Sequence, residues 1–173
     1  MCDRLKFVLH YEGAVPEGLK RHLPKIQKEA LAAMGFYWHD HFRAKHFLPS
    51  GAVEYGYTPR KGQGLSTATK EFWGTYMGKK LKYKRHQNPL VWSGESRERT
   101  RIRDVRATRN QVRIVLNAPA LNFRNPNSNV NMRAEMTTVS AAEQKVLAEV
   151  FRRAIAAGIE EIQYSRTVTI AAA

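Results

Sequence analysis

The chain has 173 residues, an apolar content of 43%, a single cysteine and a formal net charge of +14. That length suits one domain, 1–173, able to bury about two thirds of its unfolded surface, and the apolar content argues against wholesale disorder. No apolar run approaches the ~20 residues needed to span a bilayer, and the N-terminus lacks the order of a signal peptide; lone Cys2 closes no internal disulfide, which fits a reducing cytosol or a fold with no need of oxidation.

In chain order, the β-branched and aromatic content of 5–10 predicts a strand, followed by a turn at Gly13 and Pro16. Leu23, Ile26, Ala30, Leu31, Met34, Trp38 and Phe42 recur at threes and fours, which predicts an amphipathic helix over about 22–46. Pro24 is tolerated there only in the first turn, and Gly35 marks a close approach. Residues 48–88 lack a sustained helical period and read as an extended basic and aromatic loop region. A trace of helical spacing at Phe72, Trp73, Tyr76 and Met77 is interrupted by Gly74 and Gly78.

A strand and hairpin are predicted over 89–117. Asn88 to Trp92 reads as a buried extended step. Beyond Ser93-Gly94, Arg99, Arg101 and Arg103 share one parity, which in a strand sets three guanidiniums on one face. After a turn near Thr108–Asn110, Val112, Ile114 and Leu116 alternate with Arg113, giving a hairpin with an apolar inner face and an arginine outer face. Residues 118–139 are rich in Asn and Pro and read as a loop. Ser140 and Glu143 form a capping box for a helix over 140–163 with Val146, Leu147, Val150, Phe151, Ala154, Ile155, Ile159 and Ile162 on its apolar face. The tail, 164–173, reads as an edge strand or a contact to a neighbouring chain. The fold class is α+β: a small antiparallel sheet packed by a long helix from the N-terminal half and a C-terminal helix, with long basic and aromatic loops.

Charge is the unusual property. From Arg60 to Arg109, fourteen Lys and Arg face four acids, so +10 sits in the middle third. Such density draws polyanions, whether nucleic acid or an acidic protein surface. Basic residues interleaved with Tyr55, Tyr57, Phe72, Trp73, Tyr76, Tyr83 and Trp92 suit base stacking, and suit protein interfaces equally. His39, Asp40, His41 and His46 suggest metal ligation. On a regular helix, however, His39 and His41 lie about 200° apart and His41 and His46 about 140°, so no metal and no cofactor is expected. Phosphate-cradling, nucleophile-elbow and paired-carboxylate motifs are absent, and no enzymatic activity is expected. A nuclease resting on Glu95, Glu98 or Asp104 is the remaining enzymatic alternative.

The basic run Lys82-Tyr-Lys-Arg-His86 leads into Pro89-Leu-Val-Trp-Ser-Gly94, and Met132-Arg-Ala-Glu-Met-Thr-Thr-Val-Ser140 leads into the last helix. In these stretches, and in its order of elements from about 17 to 163, the chain resembles the neck and tail-completion (head–tail joining) proteins of tailed bacteriophages. It departs from them in the aromatic stretch Phe72–Met77 and the alanine tail. The resemblance implies a structural virion protein, made in the host bacterial cytoplasm, that forms a six-fold ring at the head–tail interface. Implied partners are further copies of itself, connector or stopper proteins, and tail terminator or tail-tube proteins. DNA would pass transiently through the lumen, and no membrane is involved. Arg97, Arg99, Arg101, Arg103 and Arg113 are then candidates for facing the lumen or an acidic partner; Tyr55, Tyr57, Arg60, Lys82, Lys84, Arg85 and Trp92 are candidates for subunit contacts. The alternative is a free-standing, sequence-nonspecific nucleic-acid-binding protein.

Overall fold

A computed structural model of the chain describes residues 3–8, 17–124 and 128–171, with side chains described within 7, 19–124 and 128–162. Cys2, the end of the predicted first strand at Leu9 and His10, the turn at Gly13 and Pro16, and the last two alanines lie outside the described residues. The architecture is α+β, as expected. Two compact units make up the chain: Arg4–Asp40, Arg103–Val115 and Ala141–Ala173 form one, and Met1–Asp3, His41–Ile102 and Leu116–Ser140 form the other.

The first of these units is layered. Its sheet has the order β1-β3-β2, with β1 at Asp3–Val8, β2 at Val105–Ala107 and β3 at Gln111–Leu116. β2 and β3 form the antiparallel hairpin, with Val105 opposite Ile114, Arg106 opposite Arg113, and Ala107 opposite Val112. Val112, Ile114 and Leu116 are fully buried, as their alternation predicts. A short helix α1 (Glu17–Lys20) precedes α2 (Leu23–Tyr37), which carries Pro24 in its first turn. Ile26, Ala30, Leu31 and Met34 are its buried stripe.

Gly35 explains how closely α2 rests on the hairpin: a Cβ built there would lie 2.8 Å from the Val105 and Val112 methyls. On its other flank α2 packs against α8 (Ala141–Ala171), where a Cβ at Gly158 would lie 2.7 Å from Ile26. Small residues at both crossings let backbone and branched side chains approach. Leu147 is the most deeply buried residue of the α8 stripe, while Val146 is exposed. The tail expected as an edge strand is helical instead, because α8 runs on through Ala171.

Past Tyr37 the predicted long helix changes pitch. A π turn covers Trp38–Phe42 and a 3₁₀ turn Arg43–Phe47, ending at Leu48, whose extended backbone starts α3 (Pro49–Glu54). The stretch expected as an extended loop, 48–88, contains two further helices, α4 (Lys70–Gly74) and α5 (Tyr76–Lys84). Each has a threonine cap: Thr69 accepts from the Phe72 N–H and Thr75 from the Gly78 N–H. Caps of this kind satisfy otherwise orphaned donors at the first turn and let short helices persist. Gly78 is needed where α5 folds back on α4, since a Cβ there would meet the Phe72 carbonyl at 2.1 Å.

The segment 118–139, expected as a loop, holds a 3₁₀ turn at Pro119–Asn122 and α7 (Met132–Met136), capped by Asn131. Among the described residues, no helix is long and apolar enough to cross a membrane.

Candidate functional site

The arginine face expected on the hairpin does not form. Arg97 and Arg99 lie on a helix, α6 (Glu95–Arg99), and Arg101 and Arg103 on the chain that follows it. Charge spacing explains the difference. Glu95 and Arg99 sit one helical turn apart and pair at 2.7 Å, and Glu98 pairs with Arg101 at 2.9 Å. Acids at the start and bases at the end also complement the helix dipole, whereas strand geometry would separate these partners. Gly94, at φ +88°, supplies the left-handed turn that starts the helix. Arg103 bonds Asp40 at 2.9 Å. Only Arg113 sits on the hairpin as expected, half-buried and directly opposite Arg106, itself held by Asp104 at 2.8 Å.

Tyr55 and Tyr57, expected at a subunit interface, are packed inside their own unit instead. His46 stacks on Tyr55 with ring centroids 4.0 Å apart and planes 3° from parallel. Its Nδ1 is 2.6 Å from the Tyr57 hydroxyl. Burial pushes the imidazole down to about 4, outweighing the main chain of Glu135, which favours the charged form. Arg60 is tied down as well. It grips Glu135 through both carboxylate oxygens, at 2.8 and 2.5 Å, and Glu135 also accepts the Thr58 N–H at 3.1 Å. A bidentate guanidinium–carboxylate pair of this kind is among the stronger polar contacts in a fold.

Lys82, Lys84, Arg85 and Trp92 remain as an exposed set. The step Pro89–Trp92 is not a strand. Leu90 takes a left-handed φ of +53°, which buries Leu90 and Val91 and turns Trp92 outward at 46% exposure. Tyr76 tilts against Trp92 at 5.8 Å, and the Lys84 ammonium lies 5.7 Å from the Trp92 ring. Lys82 stands similarly over exposed Tyr83, at 5.6 Å. These contacts lie within cation–π range and order an aromatic surface bearing three cations.

Sequence reasoning missed Lys80. It is 2% exposed and lies beneath the same surface, with its ammonium 5.6 Å from the Tyr76 ring and donating to the Asn88 carbonyl. Burial, followed by the nearby Arg60 charge, draws its pKa down to about 8. The available signal was its spacing of three from Met77, which shares the buried face of α5. Arg60, Lys80, Gln87 and Pro89 line a cleft of about 140 Å³ together with Gln63, Tyr57 and Met77.

Comparison of the chain with protein-family models, curated proteins and solved structures gives no match.

Proposed function

We propose that the chain is a structural protein of a tailed-bacteriophage virion, forming a ring at the head–tail interface that completes the tail and joins it to the head connector. The observation that carries this reading is Arg60, which links the two stretches behind the resemblance. Arg60 lines one cleft with Lys80 of α5, Gln87 and Pro89, and it holds Glu135 of the Met132–Ser140 segment. Chain segments 75 residues apart are thus joined by one guanidinium–carboxylate pair. The exposed Lys82, Lys84, Arg85 and Trp92 cluster offers the cationic, aromatic surface that subunit or acidic-partner docking uses. Transit of DNA through the lumen would draw on the rest of the basic surface.

Electron microscopy and light scattering of the purified chain test the proposal. Closed rings, and attachment of the protein to isolated tails, are the expected result. A monomer that attaches to neither heads nor tails overturns it.

The exposed Tyr76, Tyr83 and Trp92 beside lysines favour one other reading, a sequence-nonspecific binder of unpaired nucleic acid. That reading requires tight oligonucleotide binding at physiological salt that weakens steeply as salt rises.

A further inference from the structure

We propose that the cleft between Lys80 and Arg60 is a binding site for a single small oxyanion of phosphate or carboxylate size. The charge balance of its wall points there. Arg60 is answered by Glu135, both guanidinium nitrogens meeting both carboxylate oxygens. Among the described residues, Lys80 has no such partner. Its ammonium has three donors, and its contacts are one main-chain carbonyl, that of Asn88, and the face of Tyr76. One positive charge on the wall is therefore left without a counterion.

A buried ammonium in that position is costly, and an anion placed beside it would remove the cost. The downward pull on its pKa from burial and from Arg60 is the same imbalance seen from the proton's side. Neutral donors are also at hand. Gln63 accepts the main-chain N–H of Arg60 through its side-chain oxygen at 3.0 Å, and among the described residues its NH₂ group is available to a guest. Gln87 also lines the cleft, while Met77 and Pro89 supply apolar wall that strengthens any charge interaction within. The Arg60 fork is already committed, so the recognising charge is the lysine, a point charge that accepts tetrahedral and planar oxyanions alike. The cleft's volume of about 140 Å³ suits one such group. The inference does not depend on the virion reading.

Thermal unfolding and calorimetry of the full chain with inorganic phosphate, against chloride at equal ionic strength, test the site. Phosphate should raise the midpoint saturably, and Lys80→Met should weaken the apparent affinity about tenfold or more, the loss of one charge-assisted bond. Lys79→Met, which removes an exposed charge close by, should leave the affinity unchanged. A non-saturating response, or equal loss in the two variants, overturns the proposal. Should Lys80→Met fail to fold, the Lys80 ε-carbon resonance of the wild-type chain decides. Phosphate should shift its titration midpoint upward, and an unmoved midpoint overturns the site. Acetate run in parallel distinguishes the sources: a response to phosphate alone indicates free phosphate, and one to acetate indicates a carboxylate group.

Discussion

Arg60 and Glu135 stand 75 residues apart in sequence and bond through two pairs of atoms, at side-chain exposures of only 14% and 9%. Breaking one side of this pair strands the other as an uncompensated charge, and the Thr58 N–H loses its acceptor too. Glu135→Leu should therefore cost about 3 kcal/mol in urea unfolding. The double variant Arg60→Met/Glu135→Leu should recover much of that loss. A single variant as stable as the parent would show that the pair contributes nothing.

His46 should make the fold sensitive to acid. Its folded pKa, about 4, lies below the ordinary 6.5, so the unfolded chain binds more protons between those values. Stability then falls as pH drops from 6.5 to 4, by on the order of 3 kcal/mol from this group. His46→Phe, which keeps the stack on Tyr55, should flatten that part of the pH–stability curve. An unchanged slope would assign the acid sensitivity to other groups.

Gly35→Ala and Gly158→Ala should each destabilise by about 1–3 kcal/mol, because the added methyl meets Val105 and Val112 in one case and Ile26 in the other. Gly74, at the end of α4, has open space around it. Gly74→Ala should be neutral or slightly stabilising in the same thermal measurement. Equal effects at all three positions would refute the close-approach account.

Arg85 caps α5 at a φ of +57°, a conformation that opposes any residue with a Cβ. Arg85→Gly should stabilise by about 1 kcal/mol, with Arg85→Gln as the control for lost charge. A gain in the glutamine variant equal to that in the glycine variant would attribute the effect to charge.

Trp92→Ala and Lys84→Gln act on exposed side chains and should leave the unfolding midpoint nearly unchanged. If the virion reading holds, both should impair ring formation in light scattering. Intact rings in both variants would move the subunit contact elsewhere.

The helices of the layered unit were legible because their apolar residues are spaced for one buried face. Ile26, Ala30, Leu31 and Met34 carry the α2 period, and Val112, Ile114 and Leu116 the β3 alternation. In 95–103 the parity of the arginines mimics a strand. The Glu95–Arg99 and Glu98–Arg101 spacings were the helical signal. In 48–88 the short helices rest on Thr69 and Thr75 caps and on Gly78, features that a search for long periods passes over. Tyr55 and Tyr57 look like interface tyrosines in sequence, and only folding brings His46 against them. The spacing of Lys80 from Met77 puts the two on one face of α5, and only folding shows that the chain covers that face.

The carboxylate of Glu135 serves the guanidinium of Arg60 and the amide of Thr58 at once, so a single side chain latches two distant chain segments. Such a latch responds to conditions that leave greasy layers untouched. Guanidinium salt competing for it should loosen 57–63 while the aliphatic stack of α2 on the hairpin persists. Unfolding would then run in two steps, and the first would report on one oxygen-bearing side chain.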